Sequence, residues 1–114
     1  MDKKGVVDIA RESKFQKKLK DDIRELFPGA IVTKMDANDI QGIPDLLVIW
    51  FDKWALLECK ESRNASKRPN QDYYVNMFRT WSYSAFVYPE NKEEILDELQ
   101  SAFKSSKPTR IPKR

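Results

Sequence analysis

Apolar residues recur every three or four positions in three stretches of the 114-residue chain, which predicts three amphipathic helices. These stretches are Ser13–Phe27, Gln71–Trp81 and a last helix that carries Ile95, Leu96, Leu99 and Phe103. Four shorter apolar or β-branched runs predict strands at Ala30–Met35, Leu46–Phe51, Trp54–Cys59 and Ser84–Tyr88. The predicted order is αβββαβα. A sheet covered by helices on both faces is the natural way to bury the apolar faces of these helices and strands.

Two of the predicted strands are separated only by Asp52-Lys53, which predicts a β-hairpin with these residues as its turn. Asp45 would then lie opposite Lys60, and Leu47 opposite Glu58. Because side chains alternate across a strand, Asp45, Glu58 and Lys60 would share one face at the open end of the hairpin. An odd-length loop or a bulge would break this shared face.

The residue types that are missing restrict the chemistry. The chain has no histidine and one cysteine, Cys59, which excludes Ser-His-Asp triads, histidine–metal sites and cysteine-based zinc sites. Any bound metal must therefore have oxygen ligands, which favours Mg²⁺ or Mn²⁺. The Cys59 side chain would point away from the shared face, so only its backbone carbonyl could reach such a metal.

Asp45, Glu58 and Lys60 together predict a catalytic site. Two neighbouring carboxylates with no cation between them repel each other and favour a divalent ion. Such an ion can bind a phosphodiester oxygen and lower the pKa of a bound water. Lys60 could orient or deprotonate that water, or neutralise charge in the transition state. The alternative is three ordinary solvated charges at strand ends, and the shared face favours catalysis.

The net charge of +3 and the pI near 9.0 permit a nucleic-acid partner without demanding one. The distribution of cations is more informative, because Lys60, Arg63, Lys67 and Arg68 fall within nine residues. The loop from Arg63 to Arg68 directly follows Lys60, so it would border the predicted site. We predict that these four cations bind nucleic-acid phosphates. An ordinary solvated loop is the alternative.

Length and composition predict a single domain at residues 1–103. The last eleven residues, 104–114, carry five cations and no acid, and they are predicted to form a flexible basic tail. No stretch approaches the roughly 20 apolar residues that span a bilayer, and no secretory apolar segment follows the N-terminus. We therefore expect a cytoplasmic protein with neither a membrane partner nor a small-molecule cofactor.

The segment Gly42-Ile43-Pro44-Asp45, followed by Glu58-Cys59-Lys60, resembles the motif of the PD-(D/E)xK nuclease superfamily. The resemblance is closest to its stand-alone virus-type replication-repair nuclease (VRR-NUC) branch and to related Holliday-junction resolvases. It runs from about Glu12 to Leu99. It implies a restriction-endonuclease-like α/β fold with an αβββαβ core, a mixed four-stranded sheet flanked by helices, and a C-terminal helix.

In such families a glutamate near the start of the first helix completes the metal site, and Glu12 matches it. A glutamine that opens the helix after the Glu-x-Lys strand is also typical, and Gln71 matches that. Glu12 also continues the apolar stripe of Phe15 and Leu19, although an acid favoured by the helix dipole is equally compatible. Without the resemblance, Gln71 would be an ordinary first-turn polar residue. The implied metal ligands are Asp45, Glu58, the Cys59 backbone carbonyl and Glu12.

The resemblance also implies a Mg²⁺- or Mn²⁺-dependent DNA endonuclease that is selective for branched DNA such as Holliday junctions. Small stand-alone members of this branch typically act as homodimers, so the resemblance implies a homodimer. Compact nucleases of this kind also resemble those of bacteriophages, which would place the protein in the host cytoplasm. Two alternatives are a restriction-like or nicking endonuclease of the same superfamily and a non-catalytic nucleic-acid-binding module. The sequence has no extra recognition domain, which counts against the first, and its complete acid–acid–lysine set counts against the second.

Overall fold

The computed structural model describes residues 3–105, with side chains for residues 10–104, and the predicted αβββαβα order is confirmed. The elements are α1 (Lys3–Leu26), β1 (Ile31–Lys34), β2 (Leu46–Trp50), β3 (Lys53–Cys59), α2 (Gln71–Trp81), β4 (Tyr83–Val87) and α3 (Lys92–Ser105). The first helix begins well before the predicted Ser13. Residues 106–114, most of the predicted basic tail, lie outside the described residues. Within residues 3–105, no helix combines the length and apolar character that crossing a membrane would require.

The four strands form one mixed sheet in the order β1-β2-β3-β4. The first three strands are antiparallel, and β4 returns parallel to β3 after the crossover through α2. The helices α1 and α3 cover one face of the sheet, and α2 covers β3 and β4 on the other face. The carboxyl ends of β3 and β4 therefore meet the start of β2 at one end of the sheet.

The turn between β2 and β3 differs from the predicted one. Trp50 lies opposite Lys53, so the turn residues are Phe51-Asp52 and the predicted Asp52-Lys53 turn is wrong. Phe51 has a φ of 59°, a left-handed conformation that is uncommon for a bulky aromatic residue. Nothing in the local sequence favours this residue at such a position, so the sequence did not indicate the turn.

The corrected register changes which residues lie opposite each other at the open end of the hairpin. Leu46 pairs with Leu57, and the same register continued by one pair brings Asp45 opposite Glu58. The predicted pairings of Asp45 with Lys60 and of Leu47 with Glu58 are therefore wrong, and Leu47 lies opposite Leu56. Because the register moved by two residues, the side chains keep their faces, and Asp45 and Glu58 remain on the same side.

The core that supports this end of the sheet lies between the sheet and the two helices α1 and α3. Leu19 and Ile23 of α1, and Phe27 directly after the helix, are almost completely buried in this core. Cys59 is also fully buried in this core, so its side chain points away from the hairpin's polar face as predicted. The helix α1 is thereby fixed along this face of the sheet, with Glu12 towards the end that carries Asp45.

Candidate active site

A cleft of about 520 Å³ opens where β2 begins and β3 ends. The structure brings all five residues predicted to be catalytic to this cleft: Glu12, Asp45, Glu58, Lys60 and Gln71. They come from α1, the start of β2, the end of β3 and the first turn of α2. The remaining walls come from the loop before Asp45 and the loop after Lys60.

Glu58 is the most unusual group in the cleft, because its side chain is only 2% exposed. Its Oε2 accepts a hydrogen bond from Gln71 Nε2 at 2.9 Å, whereas its Oε1 has no hydrogen-bond partner among the described residues. Burial, followed by the charge of Asp45, raises the pKa of Glu58 to about 9. A buried unpaired carboxyl oxygen costs folding free energy, so this position is not optimised for stability.

Asp45 is fixed against β3 by a backbone contact. Its Oδ2 accepts a hydrogen bond from the Cys59 N–H at 3.1 Å, and its backbone carbonyl accepts one from the Met35 N–H at 2.7 Å. The carboxylate is therefore held beside Glu58, and its charge contributes to the raised pKa there. The pairing of β2 with β3 thus holds the carboxyl groups of Asp45 and Glu58 next to each other.

Lys60 lies inside the cleft, with only 6% of its surface exposed. Its Nζ donates a hydrogen bond to the Ser66 carbonyl at 3.0 Å and lies 3.9 Å from Glu58 Oε2. Its backbone N–H donates to Val87 O, which continues the ladder between β3 and β4. The ammonium is therefore held beside the two acids by both the sheet and the following loop.

Gln71 connects Glu58 to the loop that precedes α2. Its Nε2 donates to Glu58, and its Oε1 accepts a hydrogen bond from the Arg68 N–H at 2.8 Å. The side chain is buried, and it orients one carboxyl oxygen while fixing the backbone that carries Arg68. Sequence reasoning alone gave this residue little weight, and only the family resemblance indicated it.

Glu12 reaches the cleft from α1. Its carboxylate is partly exposed, and burial and then the charge of Asp45 raise its pKa. Lys60 and Arg68 act in the opposite direction. Glu12 therefore shares the electrostatic environment of the acid pair.

The basic loop contributes less to the cleft than its charge suggested. Arg68 lines the cleft, whereas Arg63 and Lys67 do not. The Arg63 guanidinium lies 5.5 Å from the centre of the Tyr88 ring. Lys67 Nζ bonds to an Asp72 carboxylate oxygen at 3.0 Å and lies 4.3 Å from the centre of a neighbouring aromatic ring. Phosphate binding by Arg63 and Lys67 stays a prediction.

Gly42 is a residue whose role sequence reasoning missed. It has a φ of +89°, and a Cβ placed on it would lie 2.7 Å from Pro69 O and 2.6 Å from Asn70 Cβ. Asn70 itself has a left-handed φ of 71°. The two loops that wall the cleft therefore touch where only glycine fits, next to the segment that carries Arg68 and Gln71. The motif contained Gly42, but the sequence could not indicate what it contacts.

The donor set fits Mg²⁺ or Mn²⁺, because Glu58 Oε1 is an unpaired buried oxygen beside a second carboxylate. No three acidic or cysteine side chains in the described part of the chain are grouped as a ready-made metal site. Asp45 and Glu58 would therefore hold the ion together with water, the Cys59 backbone carbonyl or a shifted Glu12. Because the pKa of Glu58 is raised, its carboxyl group would release a proton on binding such an ion, whose charge would then offset the repulsion between the two carboxylates.

Comparison with solved structures finds a similar chain described as a "VRR_NUC domain". The two chains are 27% identical, with a TM-score of 0.63, and the match covers 76% of this chain and 95% of the other. No family model and no curated protein matches the chain. The structural match confirms the predicted α/β fold with its mixed four-stranded sheet.

Proposed function

We propose that this chain, which is related to VRR-NUC domains of the PD-(D/E)xK type, is a metal-dependent nuclease that hydrolyses phosphodiester bonds in DNA. The observation that carries the proposal is the group formed by Asp45, Glu58 and Lys60. Asp45 and Glu58 lie side by side, and Glu58 Oε1 is buried and unpaired among the described residues. The buried Lys60 Nζ lies 3.9 Å from the other oxygen of that carboxyl group, Glu58 Oε2. Glu58 and Lys60 are buried and Asp45 is partly buried. Such burial of ionisable groups costs folding free energy that apolar residues would not cost, which favours a functional role.

The chain's own residues have distinct tasks in this proposal. Asp45 and Glu58 would hold Mg²⁺ or Mn²⁺, which when bound supplies an activated water and polarises the phosphodiester. Gln71 keeps Glu58 in orientation through the bond to Oε2. Lys60 is positioned to neutralise charge that develops on the phosphate oxygens, or to orient the attacking water. Arg68 lines the cleft and offers a guanidinium to the substrate backbone.

We expect Gly42→Ala to slow cleavage by about 10- to 100-fold, because an added Cβ displaces the backbone next to Arg68 and Gln71. The matched control is Gly29→Ala. Gly29 has nearly the same φ, +87°, but nothing lies within 4 Å of a Cβ placed on it. Both variants should lose stability from backbone strain, and only Gly42→Ala should lose activity when single-turnover rates are compared below both melting temperatures. Equal losses of activity would contradict a role for the loop contact.

Branched DNA, as in a Holliday junction, is the substrate class we propose. It is supported by the relationship to VRR-NUC domains and by the absence, in residues 3–105, of any element beyond the core fold that could read a base sequence. The test compares four-way junctions, flaps, plain duplex and RNA of matched sequence in Mg²⁺. We expect preferential cutting of the branched DNA. Faster cutting of duplex at one sequence would favour the restriction-like or nicking alternative, and binding without any cutting would favour the non-catalytic module.

We also propose that the protein is a homodimer, in which the cleft of each subunit would cut one of two DNA strands. An open apolar face supports this proposal: Ile31 and Ile49 pair across β1 and β2 and are 58% and 36% exposed. Trp81 of α2 is 64% exposed and packs on Phe78, which contacts Trp54, the partner of Ile49 on β3. In the described chain, α2 leaves β1 and β2 uncovered on this side. Such exposed apolar side chains are characteristic of interaction surfaces.

We expect Ile49→Lys to shift the protein from dimer to monomer in sedimentation or light-scattering measurements, because a buried unpaired charge opposes association. Leu26→Lys is the matched control. Leu26 is 37% exposed, almost the same as Ile49, but it lies on α1, across the sheet from the open face. A monomeric wild-type protein, or equal dissociation in both variants, would contradict the proposed interface.

A further inference from the structure

A second, smaller cavity of about 240 Å³ adjoins the cleft. It is lined by Glu12, Ser13, Gln16, Lys34, Asp45 and Arg68. Glu12, Asp45 and Arg68 also line the cleft, so the two cavities meet at these three residues. The residues found only in the second cavity come from α1 and from the end of β1. The second cavity therefore extends the cleft on the side away from Glu58 and Lys60.

The residues specific to this cavity carry hydrogen-bond donors. Ser13 offers a hydroxyl, Gln16 an amide and Lys34 an ammonium group. Lys34 is exposed, and neither Lys34 nor Arg68 has an acidic partner within 4.0 Å among the described residues. By contrast, other cations of the described chain, such as Lys18 and Lys92, are paired with acids. Glu12 and Asp45 lie where the cavity joins the cleft, whereas the residues specific to the cavity are Lys34 and two neutral donors. Together with Arg68, these specific residues favour an anion over a second metal ion.

We propose that this second cavity binds a nucleic-acid phosphate next to the one that is cut, with Lys34 as its principal cation. The inference rests on the proposed nuclease function and adds a subsite to it. A nucleic-acid strand carries phosphates at regular intervals, so a strand whose reacting phosphate lies at Asp45 and Glu58 brings a neighbouring phosphate to an adjoining position. Arg68 lies at the junction of the two cavities, where it can contact either phosphate.

The arrangement assigns Lys34 to binding, because it lines the second cavity and not the cleft that holds Glu58 and Lys60. A cation that contacts only phosphate contributes to affinity and to its salt dependence without contributing sequence information. Loss of Lys34 should therefore raise KM and leave kcat nearly unchanged. A residue that acted on the reacting phosphate would lower kcat instead.

The test measures binding of a fluorescent DNA junction by anisotropy in EDTA over a series of salt concentrations. We expect Lys34→Gln to bind about 5- to 10-fold more weakly than wild type, with the slope of log K against log salt smaller by about one. Lys34→Arg should retain wild-type affinity. The control is Lys104→Gln, which removes the same charge next to Phe103, where α3 packs on Trp50 at the hairpin end of the sheet.

Single-turnover cleavage in Mg²⁺ separates this inference from the nuclease proposal. Wild-type cutting together with identical affinities and salt slopes for Lys34→Gln and Lys104→Gln would overturn the subsite and leave the nuclease intact. A fall in kcat with unchanged affinity would also overturn it, because Lys34 would then act on the reacting phosphate. Absence of cutting by the wild type would overturn the nuclease proposal, and absence of DNA binding would overturn the subsite itself.

Discussion

The Asp45→Asn variant should cut DNA at least about a thousandfold more slowly than the wild type, because it removes one of the two charges that hold the metal. The fold should persist. Asn has the same shape, and its side-chain oxygen can still accept the hydrogen bond that Asp45 Oδ2 receives from the Cys59 N–H. The measurement is the single-turnover rate on a labelled four-way junction in Mg²⁺, together with a circular dichroism melt.

Asp39→Asn is the control for this result. Asp39 lies in the loop between β1 and β2, and its side chain does not line the cleft. The charge change is identical, so a general effect of net charge on DNA binding would appear in both variants. We expect the Asp39 variant to cut at nearly the wild-type rate. Comparable losses in the two variants, or near-normal cutting by Asp45→Asn, would contradict the assignment of Asp45.

Glu58→Gln should abolish cutting and at the same time stabilise the metal-free protein, by about 1–3 kcal/mol near neutral pH. The wild-type carboxyl is buried beside Asp45, and its Oε1 is unpaired among the described residues. A glutamine has the same shape and no charge. Its oxygen can accept the hydrogen bond from Gln71, and its amide can donate to Asp45. Gain of stability with loss of function is the behaviour expected of a residue retained for catalysis.

The stabilisation should depend on pH in a defined direction. Because the pKa of Glu58 is raised from 4.5 to about 9, the folded protein keeps a proton that the unfolded chain has lost between these values. The free energy of unfolding of the wild type should therefore fall as the pH rises through this window. The glutamine variant has no ionisable group at this position, so its free energy of unfolding lacks this pH dependence. The difference in melting temperature, measured in EDTA, should grow from pH 5 to 8, a range set by the general linkage relation.

Glu61→Gln is the matched control for the stability measurement. Glu61 also lines the cleft but is partly exposed, and its Oε1 accepts a hydrogen bond from the Ser62 hydroxyl. We expect little change in its melting temperature. Mg²⁺ or Mn²⁺ should raise the melting temperature of the wild type more than that of Glu58→Gln. A glutamine variant that is less stable than wild type throughout the pH range would contradict this electrostatic explanation.

Periodicity predicted the elements and their order, because the buried stripes of the helices and strands are local properties of the sequence. It also placed Asp45 and Glu58 on one face, because parity survives a register shift of two residues. The register itself was not predictable. It depends on Phe51 adopting a left-handed conformation that its side chain disfavours.

Around the cleft, too, the sequence predicted which residues matter but not the contacts that position them. The Glu-x-Lys spacing indicated Glu58 and Lys60, but the contacts that fix them come from Ser66 and Gln71, in a loop and helix turn without a local sequence signal. Charge alone could not distinguish Arg68, which faces the cleft, from cations that the fold directs to other partners. Lys60 contacts Ser66 in the irregular loop that follows β3, and Glu58 contacts Gln71 beyond that loop, so no helical or strand periodicity encodes these contacts.

Metal removal and replacement tests the central claim most directly. The protein is stripped with EDTA, and cleavage of a labelled four-way junction is then followed without metal, with Mg²⁺ and with Mn²⁺, for the wild type and for Asp45→Asn. We expect no cutting in EDTA, recovery by the wild type with either ion, and no recovery by the variant. Cutting that continues in EDTA, or a wild type that cuts with neither ion, would contradict a metal-dependent nuclease built on Asp45, Glu58 and Lys60.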